Sequence, residues 1–132
     1  MLFDEHQLNS AELEQLWQEM AAMKAKATVP LDIPPPSFKD MEGAFWRYRS
    51  RKAILVTFPV LPKQLNPIGV MQGGYMAAAF DNTLGPLSYV AAQKPAVTLD
   101  MSRTYLRAAH AGDILYCEAE VVTRGLRTLY MT

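Results

Sequence analysis

Cysteine is nearly missing from this sequence. Cys117 stands alone, so no disulfide can form within the chain, and the composition suits a reducing cytoplasm. It lies in an alternating apolar segment with no histidine beside it, which reads as a buried structural thiol rather than a nucleophile. Net charge is lacking too: 13 basic residues balance 13 acidic ones. That balance favours neither nucleic acid nor an anionic membrane as a partner. No apolar run reaches the length of a bilayer span, and Met1-Leu2-Phe3-Asp4-Glu5-His6 has neither the basic start nor the apolar core of a signal peptide. A cytoplasmic location is the expectation. Histidine is scarce, with His6 in a start expected to be disordered and His110 in an expected turn, both solvated. There is no glycine-rich phosphate loop, no Gly-x-Ser-x-Gly elbow and no metal-ligand spacing, so neither a metal nor a resident cofactor is expected.

What is present divides at the prolines. A chain of 132 residues is long enough for one hydrophobic core. Leu13, Leu16, Trp17, Met20 and Met23 recur at helical spacing and predict an amphipathic helix over Ser10–Lys26. Asn9 is its expected cap, and Glu12 completes a capping-box pattern. Pro30 and Pro34-Pro35-Pro36 make Thr28–Pro36 an extended linker. Residues 1–36 are therefore expected to be a helical extension, and residues 37–132 the domain proper.

From Phe45 to Val60 the pattern turns strand-like, with Ser50-Arg51-Lys52 a possible hairpin turn. Trp46, Tyr48, Ile54, Val56 and Phe58 share one parity, and Arg47, Arg49 and Arg51 fall on the other. A solvated strand face explains the arginines more simply than a nucleic-acid surface does. After a turn-rich stretch, Gly73-Gly74 opens an alanine-rich helix expected to run to about Leu84, where Gly85-Pro86 should kink or interrupt it before a second piece at Leu87–Ala92. A helix this apolar should be wrapped by other structure. Alternation then predicts strands at Val97–Tyr105, Leu115–Val121 and Arg127–Thr132, with turns at Gly112-Asp113 and Arg124-Gly125. The layout is α+β, an antiparallel sheet around one central helix.

The chemistry-bearing pattern is a glycine pair opening a buried helix that carries a carboxylate. First-turn amides have no intrahelical acceptor and lie at the positive end of the macrodipole. The N–H of Gly73 or Gly74 is therefore a candidate donor to a carbonyl oxygen that becomes negative during acyl transfer. Asp81 follows Ala77-Ala78-Ala79-Phe80 and is costly to bury unless paired or facing a cleft. Asp81 lies eight residues beyond Gly73, an offset of about 12 Å along a helix. Both groups cannot readily serve one reacting carbon within a single chain. Two chains related by a two-fold axis can unite them, Gly73 of one facing Asp81 of the other.

The segment NPIGVMQGGYMAAAFDNTLG, residues 66–85, resembles the signature of the PaaI-like hotdog-fold acyl-CoA thioesterases. That signature has an Asn, a His-Gly-Gly at the helix start, and an Asp; Asn66, Gly73 and Asp81 fit both intervals. VTLDMSRTYLRAAHAGD, residues 97–113, resembles the family's next strand and turn, and Arg124-Gly125 its following turn. The resemblance spans about Trp46 to Thr132 and leaves the N-terminal helix outside. It implies a hotdog fold, homodimers or homotetramers, and hydrolysis of acyl-CoA thioesters, with CoA entering only as part of the substrate. Gly73 would polarise the thioester carbonyl, the partner chain's Asp81 would attack it or activate water, and Asn66 and Thr98 would assist. Gln72, Gly74 and Tyr75 would line the substrate, with Arg103, Arg107 and Arg124, and also Arg127, available to CoA phosphates.

Two departures stand out. Gln72 replaces the family's histidine and cannot titrate. The chain also stops at Thr132, inside an expected strand, so an incomplete sheet with an unpaired edge is expected. Gln72 makes a non-catalytic acyl-CoA binding or sensing module the alternative reading, and it argues against a hydratase or dehydratase, which would need the missing histidine.

Overall fold

The computed structural model describes residues 2–132. Its elements are α1 (Ser10–Lys26), α2 (Pro36–Asp40), β1 (Ala44–Arg49), β2 (Ala53–Pro59), α3 (Gly73–Ala92), β3 (Ile114–Arg124) and β4 (Leu129–Met131), with a 3-10 turn at Pro62–Gln64. The strands form one antiparallel sheet in the order β1-β2-β3-β4, and α3 packs along β2 and β3. This is the α+β arrangement that the patterning implies, with the N-terminal helix present.

Helix α1 has the bounds its periodicity implies. Asn9 Oδ1 accepts from the Glu12 amide at 3.1 Å, but the reciprocal half of the capping box is not made. The Asn9 amide donates to the Trp46 carbonyl, and the Glu12 carboxylate turns to the Arg47 guanidinium (2.8 and 3.0 Å) and the Tyr48 amide (2.9 Å). A bidentate guanidinium outcompetes a single neutral amide. Leu16 and Met20 enter the same core as Phe38, Tyr48 and Phe58, whereas Trp17 stays at the rim and meets Phe45 edge-on.

Two expectations for the first strands are corrected. A register shift between Phe45 and Arg47 breaks the simple alternation, so Phe45 and Tyr48 face the main core. Trp46 instead joins a second cluster with Phe3, Ala53 and Leu55. A bulge inserts one residue and so inverts the faces beyond it. Residues 2–6 are also ordered rather than disordered. Phe3 is fully buried beneath the guanidinium groups of Arg47 and Arg49, 5.1 and 4.7 Å from the ring centroid. The Leu2 amide (2.7 Å) and His6 Nε2 (3.0 Å) both reach the Glu118 carboxylate, and the His6 ring stacks on Tyr116. Residues 2–6 thus strap the outer face of the sheet, and β2 is buried along Ala53–Phe58; of the three arginines, Arg49 and Arg51 are exposed, as a solvated face implies, whereas Arg47 is half-buried. His110, by contrast, is exposed in its turn.

Helix α3 runs through Gly85-Pro86 as one helix of 20 residues, so of the expected kink or interruption there is no interruption. Pro86 has no N–H for the carbonyl one turn back, but Gly85 has no Cβ to clash with the ring. The helix ends at Gln93 in the left-handed region (φ 58°). The larger correction concerns Val97–Tyr105. It pairs with no strand among the described residues, so two strands follow α3 instead of three. Val97 and Leu99 are 84% and 80% exposed. Alternation favours a strand only when a neighbouring edge supplies backbone partners, and an open cleft separates this segment from β4.

Candidate active site

The start of α3 is set by the loop before it. Asn66 Oδ1 accepts from the amides of Ile68 (3.1 Å) and Val70 (3.2 Å), closing the turn. The Gln72 amide is held by the Gln64 carbonyl at 2.8 Å. The Gln72 carbonyl then accepts from Tyr75 and Met76, which begins the helix. This leaves the N–H groups of Gly73 and Gly74 without a protein acceptor among the described residues. The Gln72 side chain is exposed and makes no capping bond. Nothing lies within 4 Å of where a Gly74 Cβ would stand, so the backbone there is open to a ligand.

Asp81 is the one acid on α3 and is exposed. Its Oδ1 accepts from Thr98 Oγ1 at 2.7 Å, which fixes the carboxylate and pins the segment after the helix to it. Asn82 is occupied elsewhere, accepting from Ser37 Oγ and donating to Met41 Sδ. Thr83 is buried and bonds back to the Ala79 carbonyl.

A cleft of about 1580 Å³ opens beside α3, and Phe80, Asp81, Thr98, Met101, Arg103 and Arg124 are among its lining residues. Gly73, Gly74, Gln72, Tyr75, Asn66 and Arg107 are outside it. One chain therefore brings Asp81 and Thr98 together but does not bring them to the free amides of the helix start. Arg124 donates to the Ala91 carbonyl at 2.8 Å, placing its charge at the negative end of α3. Arg103 donates to Tyr105 Oη (3.1 Å) and the Met101 carbonyl (3.3 Å). Arg107 and Arg127 are exposed and make no hydrogen bond or ion pair among the described residues. Tyr75 is half-buried against the core.

Burial pushes the Cys117 thiol up to about 11, which suits a structural thiol. No cluster of three or more His, Cys, Asp or Glu able to hold a metal occurs among the described residues, and no helix there is long and apolar enough to cross a membrane. Sequence reasoning missed Tyr105, whose hydroxyl donates to the Gly73 carbonyl at 2.6 Å. Its place in an alternating run marked it only as a strand residue.

Residues 68–132 match the family model of the thioesterase superfamily. Among curated proteins no sequence matches the chain. The PaaI protein of the Escherichia coli phenylacetic acid degradation operon has a similar structure, with a TM-score of 0.69 at 18% identity over 89% of this chain and 88% of that one. A hypothetical thioesterase of Streptococcus pneumoniae, solved with coenzyme A, has a TM-score of 0.63 at 27% identity, covering 71% of this chain and 79% of that one. A Streptococcus mutans protein bound to acetyl CoA has a TM-score of 0.59 at 25% identity, over 67% and 81% of the two chains. The second half of the chain thus resembles the thioesterase superfamily, and the fold is the hotdog fold of the PaaI-like thioesterases.

Proposed function

We propose that the chain hydrolyses acyl-CoA thioesters at a site made by two protomers. The observation that carries this reading is Asp81, a lone acid on an apolar helix, exposed and held beside the cleft by Thr98. An exposed carboxylate held in place by a hydrogen bond beside a cleft suits general-base work. The Asp81 carboxylate takes a proton from water as its oxygen bonds to the thioester carbon. The carbonyl oxygen becomes an oxyanion against the free first-turn amides of the partner's α3, Gly73 with Gly74 beside it. Collapse breaks the C–S bond, and the thiolate takes the proton back. Direct attack by Asp81 through a mixed anhydride is the variant route. In a single turnover in ¹⁸O-water, label in Asp81 identifies direct attack with water entering at the Asp81 carboxyl carbon.

Relatives crystallised with coenzyme A and acetyl CoA support the substrate class. The exposed faces of Val97 and Leu99 support pairing with a second copy. The cleft-lining Arg103 is available to CoA phosphates, as are Arg107 and Arg127, which the protein leaves unpaired among the described residues.

Thiol release across a panel of acyl-CoAs is the primary test. Asp81→Asn should lower kcat about 100-fold or more, and equal turnover in that variant would remove Asp81 from the mechanism. Complementation tests the shared site. Gly74→Pro deletes one amide in the first turn of α3, where that N–H has no helical acceptor to lose. Mixed with Asp81→Asn, it should regain activity through hybrid dimers holding one intact site. No recovery in mixed dimers places both groups in one protomer. Acyl-CoA binding without thiol release would identify a sensing module instead, the reading that the non-titrating Gln72 favours.

A further inference from the structure

Tyr105 lies 32 residues beyond Gly73 in sequence, yet its hydroxyl donates to the Gly73 carbonyl at 2.6 Å. Arg103 Nε donates to the same hydroxyl oxygen at 3.1 Å. The ring lies against the helix start, with Cε2 only 3.1 Å from where a Gly73 Cβ would stand, and it is nearly parallel to Phe80 (25° between planes). The Gly73 carbonyl and the Gly74 N–H belong to one peptide unit. A donor on the carbonyl oxygen increases the C–N double-bond character and draws density from nitrogen, so the N–H becomes a stronger donor. A guanidinium hydrogen-bonded to the hydroxyl oxygen makes the O–H, in turn, a stronger donor.

We propose that Arg103 and Tyr105 form a hydrogen-bond relay that polarises the 73–74 peptide and makes the Gly74 N–H the strongest oxyanion donor of α3. Tyr105 is then a positioning residue of the thioester hydrolysis proposed above, on which this inference rests. Of the two free amides, the relay singles out Gly74, because Gly73's own N–H belongs to the preceding peptide. The same geometry explains glycine at 73, where a methyl group would push the ring away. It also gives Arg103 a role other than meeting CoA phosphates.

Tyr105→Phe keeps the ring and removes only the hydroxyl. Expected are a roughly tenfold fall in kcat and a KM within about twofold of the parent, because the lost polarisation acts mainly on the oxyanion. Arg103→Gln should give a smaller fall, and the double variant should match Tyr105→Phe, since Arg103 acts through the hydroxyl. The second readout is spectroscopic. A non-hydrolysable acyl-CoA ketone, with CH₂ replacing the thioester sulfur and ¹³C at the carbonyl, reports polarisation through its infrared stretch. Bound to the parent protein the stretch should lie below its value in water, and in Tyr105→Phe it should move back up. Unchanged kcat together with an unchanged stretch in Tyr105→Phe overturns the relay, as do additive effects of the two substitutions. If the parent releases no thiol from any acyl-CoA, the hydrolase reading fails alone, and the ketone stretch still decides the relay.

Discussion

Glu12 sits in the first turn of α1, where a local partner would suffice, yet it is spent on β1. The Arg47 guanidinium bonded to it holds its carboxyl below the usual value; partial burial opposes this, and the Tyr48 amide reinforces it. A depressed folded pKa means that the stabilisation is fully present above the unfolded value, near 4.5, and is lost as pH falls through the folded one. Glu12→Gln should therefore lower Tm at pH 7, and the gap to the parent should shrink as pH drops below about 4.5. Thermal unfolding followed from pH 7 to pH 3 measures this, and a gap that widens in acid contradicts it. Gly43 is a second case. A Cβ there would stand 2.7 Å from Phe58 and 2.8 Å from Phe38, both buried. Gly43→Ala should cost about 1–3 kcal/mol through overpacking, read as a lower urea midpoint at unchanged m-value. In the site, Thr98→Val removes the one side-chain hydrogen bond to Asp81 among the described residues and should lower kcat by roughly threefold to tenfold.

Among the elements, the N-terminal strap departs furthest from a reading of local pattern. Residues 2–6 contain one large buried side chain, Phe3, and two links to Glu118. Burial pushes the Glu118 carboxyl up, but the Leu2 amide and the His6 imidazole more than offset this and hold it below its usual value. Phe3→Ala should destabilise by about 2–3 kcal/mol, less than a central core phenylalanine because the strap can peel away without unfolding the sheet. Hydrogen exchange should then show faster exchange at residues 2–8, with the central amides of β2 and β3 still protected. Uniform loss of protection would mean that the strap folds with the core as one unit.

For the whole molecule, four of the five large apolar residues at least 80% exposed among the described residues lie on the stretch after α3 and near β4, namely Val97, Leu99, Leu106 and Leu126; Ile68 precedes α3. So many uncovered side chains favour association. Leu99→Lys places charge on this face without touching Asp81, and sedimentation should show a shift toward monomer. Thiol release should fall with it, if the site needs two chains. A monomeric variant with full activity would contradict the shared site.

Local pattern placed α1, the possible turn at Ser50–Lys52 and the alternation of Cys117 and Ala119 on β3, because each follows from neighbours within about one turn of the chain. The intervals from Asn66 to Gly73 to Asp81 were legible for the same reason, and so was the inability of one helix to bring both ends to one carbon. Contacts between distant segments were not. The strap over Phe3, the capture of Glu12 by Arg47, the passage of α3 through Pro86, and Tyr105 on the Gly73 carbonyl each depend on a partner that short-range pattern does not name. Residue type determined which groups could do chemistry. Tertiary structure decided which of them meet, because a hydrogen bond is made or lost over less than an ångström, and only the folded chain sets that distance.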